Sequence, residues 1–267
     1  MVLPEKLIWP AVRIVPTVCD PSRVALGQSR FGGLPDVPAS FAWPQWQDRP
    51  LAFLAQINLA DVARFENSVK LPRTGWLLFF YDPEQEAWGF DPADRGCSHV
   101  AYLGETATLV RRPLPDDMPD GGRFSVAALT FTPSRTHPDL HSLWVDALEL
   151  NERQEKKLFD DFDAYASGLG PTVHQLGGHP LPVQNPMELE CQLVTHGVSC
   201  GNAEGYDSEE AATLEPGAVD WRCVLQLDSD EDIGWMWGDV GRLYFWMTEK
   251  DVAERRFENA WLIFQCS

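Results

Sequence analysis

Cys223-Val-Leu-Gln-Leu-Asp-Ser-Asp-Glu-Asp-Ile-Gly-Trp-Met-Trp-Gly-Asp-Val-Gly-Arg-Leu-Tyr-Phe-Trp246 is the stretch that predicts the fold most directly. It begins and ends with short apolar runs, which are typical of buried strands. Between them lie an acidic run and three glycines, the residue types that form turns. We therefore predict a strand, an acidic turn, a glycine-containing turn and a second strand.

An earlier part of the chain follows the same plan. The corresponding pairs are Arg30–Pro35 with Gln175–Pro180, Leu54–Asn58 with Val224–Asp228, Thr74–Phe80 with Val240–Trp246, and His99–Leu103 with Ala260–Gln265. The spacing differs because the second half carries extra residues at 187–220, which we interpret as an insertion. The pattern predicts one α+β domain over residues 1–267, with a mostly antiparallel β-sheet and few helices. It also predicts an internal duplication of two β-rich halves that share one core, at about 28–136 and 173–267.

A helix at about 151–167 is predicted to join the halves. Asn151 and Gln154 have the spacing of a capping box. Leu158, Phe159, Phe162 and Tyr165 form an apolar stripe, which we expect to pack against the sheet. In contrast, the prolines within residues 1–30 predict an extended arm with one short helix near 22–26.

The composition of the chain argues against some classes of partner and location. The net charge of −19 argues against a nucleic-acid partner and suits a basic protein partner or a cation. No run reaches the ~18 apolar residues of a membrane span, so no membrane association is expected. The amino terminus lacks a secretory pattern, and six scattered cysteines without a CxxC pair suit reduced thiols. We therefore expect a cytoplasmic protein.

The matched segments resemble the YwqG-like family, whose members carry a domain of unknown function, DUF1963. The residues that carry the resemblance are Phe31–Pro35, Leu51–Asn58, Gly75–Asp82, Gly177–Pro180 with Gln184, and Leu225–Asp230 with Trp237–Asp239. His179 departs from the family pattern, which is more often aromatic there. The resemblance implies an internally duplicated α+β fold and no established activity. It also implies an immunity-like role, because some relatives are suspected immunity proteins of toxin systems.

The acidic turn suggests two alternatives. Asp228, Asp230, Asp232 and Asp239 partly match the oxygen-ligand spacing of a calcium loop, but Ile233 stands where that loop has glycine. The other interpretation is a capped, solvated turn. Likewise, Trp235 and Trp237 suit either a pocket wall or the packing of a hairpin against a core edge.

Other motifs are weaker. Cys191, His196 and Cys200 supply three zinc-type ligands without an evident fourth. The two Gly-Gly turns could bind an anion through their N–H groups, although no nucleotide-binding pattern accompanies them. Residues 187–192 alternate as in a strand, which would place Glu188, Glu190 and Gln192 on one face. No nucleophile motif is present.

We therefore expect no cofactor and no metal, and an acidic, tryptophan-rich face that binds a basic protein. The alternative is a small-molecule- or metal-dependent enzyme with a pocket between the two halves, containing Glu190, Gln226 and Asp228. The residues predicted to form the ligand or partner face are Gly178, His179, Gln184, Glu190, Gln226, Asp228, Asp230, Asp232, Trp237 and Asp239.

Overall fold

A computed structural model describes residues 3–148 and 150–267. The strands are β1 (Trp9–Val18), β2 (Arg30–Phe31), β3 (Asp36–Val37), β4 (Gln45–Trp46), β5 (Arg49–Pro50), β6 (Ala52–Asn58), β7 (Trp76–Tyr81), β8 (Ser98–Leu103), β9 (Val110–Arg111), β10 (Ala127–Thr136), β11 (His174–Leu176), β12 (Trp221–Asp228), β13 (Arg242–Thr248) and β14 (Trp261–Gln265). The α-helices are α1 (Leu59–Val62), α2 (Leu143–Asp146), α3 (Glu152–Gly168), α4 (Glu188–Thr195), α5 (Ala203–Tyr206), α6 (Glu209–Leu214) and α7 (Glu249–Ala253).

One ten-stranded sheet organises these elements, in the order β14-β13-β12-β11-β1-β10-β2-β6-β7-β8. Every neighbouring pair is antiparallel. β3 pairs with β9, and β4 pairs with β5, outside this sheet. The predicted α+β class with a mostly antiparallel sheet is therefore confirmed.

The strand order is the same on either side of the central pair β1–β10. It runs β11-β12-β13-β14 on one side and β2-β6-β7-β8 on the other. Both sides have a register shift at corresponding places, between Cys223 and Leu225 and between Phe53 and Ala55. The origin of this correspondence in a duplication stays a prediction.

The two ends of the sheet curl toward each other. β7 and β13 are seven places apart in the strand order. In a flat sheet that separation would be about 34 Å, at ~4.8 Å per strand. The rings of Phe79 in β7 and Phe245 in β13 nevertheless have centroids 5.1 Å apart. The largest hydrophobic cluster accordingly lies between the two halves and contains residues of both.

The central strand β1 corrects the predicted extended arm. Pro10 and Pro16 made a strand improbable, because proline donates no ladder hydrogen bond. The Pro10 carbonyl accepts a hydrogen bond from Ser68 N (2.9 Å), so its backbone polar groups point away from β10. On that side β11 pairs only with residues 12–14, and both prolines lie beyond it. The predicted helix near 22–26 is a 3₁₀ turn at Pro21–Arg23, and residues 1–2 lie outside the described residues.

The predicted linking helix is present as α3. Asn151 and Gln154 form the expected capping box. Leu158 is buried in a small cluster with Leu3, Leu7 and Val145. Phe159, however, is 59% exposed, so the prediction that the whole stripe packs against the sheet is wrong.

Candidate functional site

Two predicted site residues, Gln226 and Asp228, lie inside the second half. Gln226 accepts a hydrogen bond from Leu181 N (2.9 Å) and donates one to Val173 O (2.8 Å). Asp228 accepts from Val173 N (2.8 Å), and its other oxygen lies 2.9 Å from the Arg242 guanidinium. These contacts hold the loop before and after β11 against β12, and they occupy the polar groups of both side chains.

Asp230 is engaged by His174, a residue that the sequence analysis did not select. His174 Nδ1 accepts a hydrogen bond from the Asp228 N–H (3.1 Å), so the proton of the neutral ring is on Nε2. Nε2 then donates to Asp230 (3.0 Å). This bond lowers the pKa of the Asp230 carboxyl. Because only 1% of the His174 side chain is exposed, the pair is closed to substrates.

The expected acidic, tryptophan-rich face does not exist as one surface. Trp235 and Trp237 are each 1% exposed. Trp237 donates from its indole nitrogen to Asp228 O (3.1 Å). Asp232 and Asp239, by contrast, are exposed. The expectation of exposed tryptophans is wrong because the indoles complete the core, as the hairpin-packing interpretation proposed.

The metal hypotheses fail on geometry. Within 3–148 and 150–267, no group of three or more His, Cys, Asp or Glu side chains could hold an ion. The Asp230 carboxylate accepts from Asp232 N (3.0 Å), as in a capped turn. The His196 Nδ1 atom lies 2.6 Å from Gln192 O. Neither the calcium loop nor the zinc site has its ligands together.

The glycine N–H groups of the two Gly-Gly turns are also used in hydrogen bonds within the protein. All four glycine N–H groups donate within the chain: Gly32 to Leu54 O, Gly33 to Phe124 O, Gly177 to Val224 O and Gly178 to Ser68 Oγ. An anion would therefore find the N–H groups of all four glycines already occupied. The glycine N–H groups therefore do not support the alternative of an anion site.

His179 and Gln184 are also in structural contacts. The His179 ring stacks on Trp9, with centroids 3.8 Å apart, and lies 3.0 Å from Leu7 O. Burial lowers the pKa of His179 to about 3. Gln184 donates to Cys266 O (2.8 Å). Both side chains fasten loops to the sheet.

Glu190 lies on a helix, which corrects the strand predicted at 187–192. Cys191 and Val194 on α4 pack onto the second half of the sheet, so the apolar spacing there was helical. Burial raises the pKa of Glu190 to about 7. Burial and the Glu190 carboxylate together raise the pKa of the Cys200 thiol and of the Tyr206 hydroxyl, so Glu190 lies near both side chains.

A second buried polar network was missed in the first half. Arg30 is 1% exposed and is ion-paired with Asp36, which also pairs with Arg111 (2.9 Å). Gln56, which corresponds to Gln226, accepts from Arg30 (3.1 Å) and Asp36 N (2.9 Å). Burial raises the pKa of Asp36, but hydrogen bonds from Arg111 and Gly27 and the charge of Arg30 outweigh it, so the pKa is lowered. The Arg30–Gln56 spacing in the repeat could have indicated this network.

A large open cavity lies elsewhere, beside helices α2 and α3. It has a volume of about 930 Å³. Its apolar lining consists of Leu140, Val145, Leu150, Leu158 and Phe159. We call this cavity the α2–α3 groove. Sequence reasoning missed it because helical periodicity predicted that the same stripe would be covered.

Carboxylates surround the α2–α3 groove. Asp146, Glu152, Glu155 and Asp160 line it, against one lysine, Lys156. All five of these side chains belong to exposed residues. The groove therefore combines a partly accessible apolar floor, in which Phe159 is the exposed residue, with an excess of negative charge.

Comparisons with known proteins give the family but no activity. No helix among residues 3–148 and 150–267 is long and apolar enough to cross a membrane. A search of curated proteins found no match. The family model DUF1963, described as a domain of unknown function, matches residues 29–266. The chain therefore belongs to the DUF1963 family, as its motifs predicted.

Proposed function

We propose that the protein is a cytoplasmic interaction protein that binds a basic, amphipathic segment of a partner protein in the α2–α3 groove. The observation that carries this proposal is the partly exposed apolar floor, with Phe159 59% exposed, bordered by carboxylates. An immunity-like role is one form of it, with a basic toxin as the partner. Acidic side chains would thus recognise a basic partner, as the composition predicts, but at the α2–α3 groove and not beside the buried tryptophans.

The apolar floor would supply most of the affinity. Phe159 is 59% exposed in the groove lining. Fully burying a phenylalanine contributes about 1.5–3 kcal/mol, so covering this exposed part would contribute a large share of that. Amphipathic helices commonly place apolar side chains in such grooves.

The carboxylates would determine which segments bind. Four of them against one lysine would attract Lys and Arg at the edges of a bound segment. Because the four are exposed, their contribution would be screened by salt, with a Debye length of about 8 Å at physiological ionic strength. Binding should therefore weaken as salt concentration rises.

A direct test uses a fluorescent Leu/Lys amphipathic peptide, with a Leu/Glu peptide of the same apolar pattern as control. We expect the basic peptide to bind, with fluorescence anisotropy reporting the affinity, and the acidic peptide to fail. Phe159→Ser should weaken binding about tenfold, which corresponds to ~1.4 kcal/mol. Leu26→Ser is the matched control, since Leu26 is 57% exposed outside the groove.

A second pair of variants separates local from overall charge. Glu155→Gln with Asp160→Asn removes two groove carboxylates, and Glu209→Gln with Glu210→Gln removes two exposed ones on α6. Only the first pair should weaken binding and reduce its salt dependence. Equal effects of the two pairs, or binding unaffected by Phe159→Ser, would refute the groove proposal.

A further inference from the structure

A second candidate site, independent of the α2–α3 groove, surrounds Trp43. Two depressions, of about 490 and 540 Å³, share Trp43 and Gln45 in their linings. The first extends toward Ser98 and His99, and the second toward Arg112 and Asp116. A ligand spanning both would therefore cross the partly exposed indole.

The indole is held in place from below. Its Nε1 donates to Leu51 O (2.9 Å), and its ring lies edge-on to Phe80, with centroids 5.7 Å apart. Phe41 stacks on the same Phe80, with centroids 6.0 Å apart. A fixed aromatic surface loses little conformational entropy when a ligand covers it.

The polar groups of the lining can both donate and accept hydrogen bonds. Gln45, Ser98 and His99 each offer both functions. Arg112 and Asp116 contribute one positive and one negative charge, so the lining has no net charge although the protein carries −19. Burial lowers the pKa of His99, which keeps its imidazole neutral at pH 7.

We propose that the two depressions on either side of Trp43 bind a neutral, hydroxyl-rich ligand, namely an oligosaccharide. A hydroxyl group donates and accepts, as this lining requires, and the apolar face of a sugar ring would lie on the indole. A proline-rich peptide also suits aromatic surfaces, but its backbone offers carbonyl acceptors without N–H donors at the prolines. Asp116 and the amide oxygen of Gln45 would then have no partners.

The experiment titrates the full chain with neutral gluco-, xylo- and chito-oligosaccharides of six units. Binding is followed by tryptophan fluorescence and by saturation-transfer NMR. We expect at least one series to bind and its affinity to fall about tenfold in Gln45→Ala and in Asp116→Asn. Asp117→Asn, an exposed neighbour outside both linings, should leave it unchanged.

Three results would overturn the inference. They are no saturable binding of any series up to 20 mM, binding that Gln45→Ala and Asp116→Asn leave intact, and preferential binding of a proline decapeptide. Gln45 and Asp116 are exposed, so both variants should fold, and circular dichroism verifies this. Trp43→Ala is avoided as the main test because Trp43 also packs on Phe80.

Discussion

The imidazole of His174 and the carboxylate of Asp230 lie 3.0 Å apart, buried where β11 and the acidic turn meet. The backbone of Asp228 selects the ring tautomer that makes this contact. The His174–Asp230 pair has the residue types of a catalytic dyad, but it is buried and holds the acidic turn against β11.

Replacing Asp230 should therefore reduce stability. Asp230→Ala removes the acceptor of a buried donor, and we expect a loss of about 1–3 kcal/mol in the free energy of unfolding, measured by urea denaturation. Asp232→Ala, at an exposed position in the same turn, should cost less than about 0.5 kcal/mol. Because the folded-state pKa of Asp230 is lowered, the stabilisation is present above the unfolded pKa of about 4 and is lost as pH falls through the folded value. A wild-type advantage over Asp230→Ala that does not shrink at all as pH falls below about 4 would contradict this account.

Glu190 should make the protein less stable as pH rises. Its folded pKa is about 7, against an ordinary value of 4.5, so between these values the unfolded chain releases a proton that the folded chain retains. Glu190→Gln should raise the free energy of unfolding by about 1–2 kcal/mol at pH 8, allowing for partial screening by solvent. At pH 4.5 the gain should nearly vanish. Glu209→Gln, on an exposed position of α6, should show no such pH dependence.

The buried Arg30 should depend on Asp36. Asp36→Asn leaves the guanidinium in the interior without a carboxylate, and we expect a loss of about 3–5 kcal/mol, measured by thermal or urea unfolding. Arg111→Gln removes the more exposed partner of the same carboxylate and should cost clearly less. Equal losses would mean that burial of Arg30 does not determine the effect.

The second Gly-Gly turn should reject a side chain for reasons of space. At Gly178, φ is +79°, and an added Cβ would lie 2.6 Å from Thr136 Oγ1 and 2.7 Å from Ala11 Cβ. Gly170 has φ of +84° with nothing within 4 Å. Gly170→Ala should thus lower the free energy of unfolding only by the backbone strain of an alanine at positive φ, about 1–2 kcal/mol. Gly178→Ala should cost about 1–3 kcal/mol more. Similar losses for the two variants would remove the steric argument.

Local sequence patterns predicted the elements whose signals are themselves local. Asn151 and Gln154 formed the capping box, and the apolar runs at 76–81 and 98–103 became strands. The strand predicted at 187–192 was wrong because the apolar pattern of six residues fits both a strand and a helix. Only the packing of this segment against Cys223 and Trp246 distinguishes the two structures. The strand Trp9–Val18 was not predicted because proline is tolerated in a strand only where its backbone faces a side without ladder hydrogen bonds. Whether that side is free depends on the neighbouring strand, which local sequence does not show.

The candidate sites depended even more on tertiary contacts. Asp228, Asp230 and Trp237 were selected from the sequence because they are acidic or aromatic. In the structure these side chains are buried: Asp230 contacts His174, Asp228 contacts Arg242, and Trp237 packs in the core between the halves. The surroundings of Trp43 combine residues from separate segments, and no local spacing marks them. The α2–α3 groove is lined by residues 140–160 alone, but whether other parts of the chain cover that stretch is decided by tertiary packing.

The sequence by itself determined the family and the antiparallel α+β class, because these follow from motifs and short-range periodicity. Only the tertiary structure decided which polar and aromatic residues reach solvent. The reason is physical: the sheet curls until Phe79 meets Phe245, and burial at each position depends on that closure and not on the neighbouring residues in the chain.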